Sequence, residues 1–430
     1  MSPIPAARLS IWMSASAALF FLLALSAPNG YSWGGGLLLL GGLATAWSRR
    51  GRWHTSSTDG HRAMPRSCAP WTIQDRTLLL LLLAVFLINA LAVVWHGDSG
   101  KYLDQGVRYL LAIPILWGLR RVQLRLDWLW IGLVLGCLGT AAVAWWQVHI
   151  LAYDRAEGFV TSAIPFGDMA LMMTFWCVLG AALSAIQRRR GWAAFLLIGA
   201  LAGAYAFIAA ATRGGLVAVP VLMVLAGWAL IRREHARQVL AGAALLVVAI
   251  TLVVTLLPAG QVTERRVDEA FSEWHAYSQH ADATNNVGAR LEAWKAALIS
   301  IPDRPLLGWE HADYQAQLQT LIQAGQVDPF VETLSNTHNQ FIEIWLHQGT
   351  LGLMAFLALL IASFWYFAQR LRHADATVRI LACCGASLPA GFAAFGLTQV
   401  ILGRNNGVMF FLVSLAVWWA MMRQAEGKTD

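Results

Sequence analysis

Apolar runs long enough to cross a bilayer, or nearly so, recur along the chain at about 11–29, 33–48, 77–95, 104–119, 128–151, 164–187, 192–212, 214–231, 239–257, 341–368, 378–402 and 407–422. The pattern predicts an all-α integral membrane protein with about 12 transmembrane helices. The fourth run is the weakest, being short and carrying Arg108 and Pro114, yet removing it would reverse the direction of every later helix. Polar residues interrupt the series at length between helices 9 and 10. The organisation read from this is residues 1–258 for helices 1–9, residues 259–337 for one large, partly helical loop, and residues 338–430 for helices 10–12 with a short tail.

The loop has a helical period of its own. Val267, Phe271, Trp274 and Tyr277 recur at helical spacing, as do Val287, Leu291, Trp294, Leu298 and Ile301 until Pro302 stops them, and Tyr314, Leu318, Leu321 and Ile322 mark a third segment. This predicts a small helical cap on the membrane surface rather than an independent domain. Residues 49–76 show no apolar period and read as a linker.

Composition agrees with a membrane protein. Of 430 residues, 58% are hydrophobic and 13% charged, against about half and about a quarter in soluble domains; mean hydropathy is +0.55. A water-soluble enzyme is excluded on those terms. The net charge of +7 would point to nucleic acid in a soluble chain, but here its distribution is a positive-inside excess: basic residues gather at Arg8, 49–76, 120–125, 188–190, 232–237, 370–379 and 423–428. That places both termini in the cytoplasm. The five cysteines form no disulfide framework, and the first apolar run, with a second directly after it, reads as an uncleaved helix.

Ten cations remain on the outer side, and five of them, Lys101, Arg108, Arg155, Arg213 and Arg404, sit in short outer loops or at helix ends, where topology disfavours them. Snorkelling at the interface accounts for any one of these more readily than for all five. Arg213-Gly214-Gly215 opens the eighth helix at its outer end, where free N–H groups, a positive dipole end and a guanidinium favour a phosphate or diphosphate, and the glycines leave room for it; a tight turn with a snorkelling arginine fits equally. Arg290 borders the apolar stripe of the second loop helix, and the plainer account is a surface ion pair with Glu292. His338 begins HNQFIEIWLHQGTLG at the outer rim of helix 10, and a continuous helix would put it on one stripe with Gly349 and Gly352. Histidine suits removal of a hydroxyl proton near neutral pH; the alternative is an interfacial residue at a helix start capped by Ser335, Asn336 or Thr337. Asp168 and Glu343 are the main acids within spans, and Glu343 has His347 at i+4. No Walker A sequence, HExxH or DxD cluster occurs.

These sites, in this order on this topology, resemble the O-antigen ligase family, within a superfamily that includes O-antigen polymerases and bacterial protein O-oligosaccharyltransferases. The family pattern H[NSQ]-x9-G-x2-[GTY] is met by His338, Asn339, Gly349 and Gly352. The resemblance implies a glycosyltransferase in a Gram-negative inner membrane with its active site facing the periplasm. It would move O-antigen from undecaprenyl pyrophosphate to a sugar hydroxyl of lipid A-core, with inversion and without metal, ATP or other cofactor. On that resemblance His338 is the general base and Arg213 and Arg290 hold the pyrophosphate. Lys101, Arg155, Arg404, Asn339, Gly214 and Gly215 are further candidates for substrate binding, and membrane lipids rather than nucleic acid are the surrounding partners. The alternatives are a polymerase, a protein O-oligosaccharyltransferase, or a lipid-glycan flippase or anion transporter.

Overall fold

The computed structural model describes residues 6–50, 71–159, 162–231, 272–279 and 283–428. The expected ninth span at 239–257, the interior of the 49–76 linker and the start of the first loop helix lie outside the described residues. Everything regular in the described part is helical.

The first eight helices are α1 (Ala6–Leu23), α2 (Gly30–Arg50), α3 (Ile73–His96), α4 (Leu103–Leu119), α5 (Leu126–Trp145), α6 (Ala163–Ile186), α7 (Arg190–Ala210) and α8 (Arg213–Leu230). The loop supplies α9 (Asn286–Ser300) and α10 (His311–Gln323), with residues 272–279 also helical, and the chain closes with α11 (Gln340–Ala368), α12 (Ala376–Gly396) and α13 (Asn405–Glu426). Among the described residues, seven helices are long and apolar enough to cross a membrane: α3, α5 with its extension to Ile150, α6, α7, α11, α12 and α13. The protein is a multi-pass membrane protein. The α12 and α13 windows are each 89% buried and that of α3 only 33%, so the last two helices form the centre and α3 lies at the rim. Leu80, Leu87, Val94, Trp95, Met354, Ile361 and Trp365 point outward from α3 and α11, as the acyl phase of a bilayer requires.

Aromatic rings fill the centre. Trp176 of α6 stacks on Phe410 at 5.6 Å and meets Trp418 edge-on at 5.2 Å, both from α13. Its indole N–H donates to the Cys384 carbonyl and the Ser387 hydroxyl of α12, which satisfies a donor that would otherwise be stranded in an apolar interior.

At the end away from the cap, three of the inner-side arginines, Arg120, Arg379 and Arg423, are buried. Asp75, at the start of α3, accepts from Arg120 Nε (2.9 Å) and Nη2 (3.2 Å), from Trp419 Nε1 (2.9 Å) and from Thr72. Arg423 Nε stands 3.9 Å from the same carboxylate, and Arg423 also pairs with Glu426.

The cap is seated on α11 by backbone. Gly349 has φ +63° and ψ −168°, a combination open essentially to glycine alone, so the helix breaks there and exposes N–H groups to the segment before α10. Thr350 and Leu351 N–H donate to the Pro305 and Leu306 carbonyls (2.8 and 3.3 Å), and Trp309 N–H donates to Leu346 O (2.7 Å). This corrects the continuous helix read from the sequence: the helix from 341 breaks at Gly349, against which the cap segment 305–309 lies, and Gly352 meets the Gln348 side chain of its own helix. A Cβ at 349 would overlap the Leu306 carbonyl. Gly349→Ala should therefore cost about 1–3 kcal/mol from backbone strain alone, loosening the cap, with faster amide exchange at Thr350 and Leu351 as the readout.

Candidate functional site

The approach to α11 is a knot of polar bonds. Glu343 Oε2 accepts from the Thr337 N–H (2.9 Å) and hydroxyl (2.8 Å), reaching back past the start of α11. His338 N–H donates to Asn336 Oδ1 (2.9 Å), and His338 itself sits at φ +51°, a left-handed conformation that a non-glycine residue holds only at a cost of about 1–3 kcal/mol. Asn339 then caps α11: its Oδ1 accepts from Phe341 and Ile342 N–H, while Nδ2 donates to the Leu397 carbonyl. The cap residue is thus Asn339, not Ser335, Asn336 or Thr337, and both ends of its side chain are engaged. Because His338 precedes the helix and Gly349 interrupts it, the predicted stripe of His338, Gly349 and Gly352 does not exist. The helical wheel assumed a constant turn that the backbone does not keep.

The His338 ring is flanked by positive charge. Burial and the Arg290 guanidinium push its pKa down to about 4; Arg404 adds to this, and a hydrogen bond with the Gln399 side chain opposes it. Nδ1 is buried and has no hydrogen-bond partner, which leaves Nε2 as the nitrogen facing Gln399. If Nε2 carries the proton to the amide oxygen, Nδ1 offers a lone pair to the site. Gln399 is 2% exposed and lies on the turn after α12. It escaped the sequence analysis because the apolar run 378–402 reads through it as helix, whereas α12 ends at Gly396 and a short helical turn, Ile401–Gly403, follows.

That turn is also where α8 begins. A Cβ on Gly214 would run into the Thr398 hydroxyl, and one on Gly215 would stand 2.6 Å from the Phe207 ring and 2.9 Å from Asp168 Oδ1. The space left by the two glycines is therefore filled by protein side chains, not left open. Arg213 opens α8; its side chain lies outside the described residues. Asp168 is fully buried and accepts from the Thr212 hydroxyl (3.3 Å). Arg155 Nε donates to the Ala210 carbonyl at the same turn (2.9 Å), held there by a loop that Gln147 pins through Glu157 and Gly158. Gln147 belongs to a π-helical stretch, Trp146–Ile150, of the kind that often marks functional positions. Of the candidates, the structure gathers His338, Arg290, Arg404 and Asn339 around the 397–400 turn, with Gly214 against it. Arg155 lies at the α7–α8 turn. Lys101 stands apart, with Nζ 4.8 Å over the Tyr102 ring.

A second titratable group joins the cap to the helices. Tyr102, His311 and His347 form a stack, with centroids 3.6 and 3.9 Å apart. His311 Nδ1 meets Asp98 Oδ2 at 3.2 Å, and His96 Nε2 meets the Leu307 carbonyl at 3.1 Å. Burial and the neighbouring His347 lower His311 to about 4, with Lys101 adding and Asp98 opposing. Both His311 and His338 therefore bind fewer protons in the docked state than in a released chain, where the ordinary value is 6.5. Docking should be unaffected by these groups above pH 6.5, weaken as the pH falls from about 6.5 to about 4, and level off below. Limited proteolysis of the cap across that range checks the direction, and His311→Gln should flatten part of the slope.

Residues 193–357 match the Wzy_C family model, described as O-antigen ligase. The match spans α7, α8, the loop and the first half of α11, and supports the O-antigen ligase superfamily, whose members are glycosyltransferase-like ligases and polymerases. An uncharacterized protein of Haemophilus influenzae is 21% identical over 397 residues, covering 92% of this chain and 95% of that relative.

Proposed function

We propose that this chain is an O-antigen ligase, transferring O-antigen polysaccharide from undecaprenyl pyrophosphate to a sugar hydroxyl of lipid A-core at the periplasmic face of a Gram-negative inner membrane. The observation that carries the reading is the convergence of the His338 ring with Arg290 and Arg404, three residues far apart in sequence, beside the turn against which α8 starts.

The chemistry needs little else. A glycosyl pyrophosphate brings its own leaving group, so the protein must hold two lipids, take one proton and offset developing negative charge. The acceptor hydroxyl gives its proton to His338 Nδ1 as its oxygen bonds the anomeric carbon. The bond from that carbon to the phosphate oxygen breaks, and undecaprenyl pyrophosphate departs with the electron pair. Attack from the opposite side inverts the anomeric centre. Arg213 and Arg290, with Arg404, hold the pyrophosphate. A bound pyrophosphate would offset the charges of Arg290 and Arg404 that depress the imidazole, so donor binding raises the basicity of His338 at the step that requires it. Arginine charge then serves where a metal would otherwise be needed, and residues 283–337 act as a cap over the site.

The test is purified protein with lipid-linked O-antigen and lipid A-core in EDTA. Product on lipid A-core supports the ligase. Growth of the lipid-linked glycan in its place identifies a polymerase, transfer to a pilin a protein O-oligosaccharyltransferase, and movement of the donor across vesicles without transfer a flippase.

A further inference from the structure

A cavity of about 70 Å³ lies between the cap and α11, bounded by α9, α10, residues 331–337 and the first turns of α11. At about 30 Å³ per water it has room for about two waters, so it takes in one hydroxyl-bearing edge of a sugar ring rather than the whole ring. Its walls are of two kinds. Ala293, Leu318, Val331, Leu334 and Leu346 make an apolar side.

The other side carries three polar groups with unmet capacity. Tyr314 is 7% exposed, and its hydroxyl makes no hydrogen bond among the described residues, while burial and the Glu343 carboxylate raise its pKa. Glu343 spends Oε2 on Thr337 and turns Oε1 toward His347 Nε2 at 4.0 Å, too long for a direct bond. His347 gives its Nδ1–H to the Trp309 carbonyl (3.0 Å), so in the neutral ring Nε2 is a second acceptor. Two acceptors that face each other across a gap need donors between them, and adjacent hydroxyls of a sugar supply two. The Tyr314 hydroxyl can donate in return. Leu318 and Leu334 on the apolar side suit the C–H groups of a pyranose.

We propose that this cavity is a saccharide subsite adjoining the reaction centre, taking the hydroxyl edge of one sugar ring through Glu343, His347 and Tyr314. The proposal rests on the reading that the chain transfers glycans. It deepens that reading by placing a sugar beside the wall formed by residues 335–337, whose Asn336 receives the His338 N–H. The ring belongs either to the acceptor core or to the donor glycan, which have the same recognition chemistry.

Saturation-transfer NMR on the detergent-solubilised full chain separates the sources, with two probes: lipid-free core oligosaccharide and lipid-free O-antigen repeat. Tyr314→Phe removes one oxygen and should weaken the bound probe roughly two- to tenfold. Leu334→Trp should fill the cavity and abolish its binding. Loss for the core probe assigns the acceptor, and loss for the repeat assigns the donor. His338→Ala should bind the probe as well as wild type while failing to transfer. The subsite is overturned if neither probe binds wild type, or if Tyr314→Phe and Leu334→Trp both bind as wild type does. Sensitivity of binding to Tyr314→Phe alongside full transfer by His338→Ala would instead overturn the catalytic reading and leave the saccharide site standing.

Discussion

His338→Ala is expected to lower glycan transfer by about 10²–10⁴-fold, the usual contribution of a positioned general base, while the protein stays folded in the membrane. The separation of these effects follows from how the residue is held. Its backbone is fixed by Asn336, and the start of α11 by Asn339 and Leu397; neither bond uses the imidazole. The left-handed backbone disfavours alanine mildly, so His338→Asn, which tolerates that conformation better, is the companion variant. Both should lose transfer, whereas thermal unfolding should move little. Full activity in either variant would remove the base from the proposed mechanism.

Asp75→Ala is expected to be the most damaging single change to stability, at about 3–5 kcal/mol, because it takes the carboxylate from a buried ion pair and leaves the charge of Arg120 uncompensated. Asp75 and Arg120 have side chains 1% and 2% exposed, and Trp419 of the central helix α13 donates to the same oxygen as Arg120 Nε. The effect should appear as a lower midpoint in thermal unfolding followed by tryptophan fluorescence. Asp75→Ala combined with Arg120→Met should recover much of the loss, since removing both charges avoids the stranded one. Equal loss in the single and double variants would show that packing, not charge, governs the locus.

The seven described spans were legible because a bilayer admits few solutions for an apolar run, and α9 and α10 because Pro302 and the apolar spacing mark them out. His338 and Arg290 were visible as a motif and as a basic residue on a stripe edge. Their neighbour Gln399 was not: nothing in an apolar run from 378 to 402 signals that the helix stops at Gly396 and turns a glutamine inward. Gly349 was read as part of a continuous helix that its positive φ breaks, and no pattern of side chains reports a main-chain torsion. Asp75 and Arg120 are 45 residues apart, so their pairing is a product of tertiary packing. Charge counting saw only a loop arginine.

The seam between the cap and α11 has a further consequence. Amides and carbonyls have no preference among side chains, so the bonds from Thr350, Leu351 and Trp309 survive most substitutions around them. Gly308, at φ +80°, and Gly349 are the fixed points. The surface above this mooring is therefore at liberty to diversify across lineages as cell-surface glycans change, and inherited variation should gather on the exposed face of α10 while sparing the two glycines beneath it.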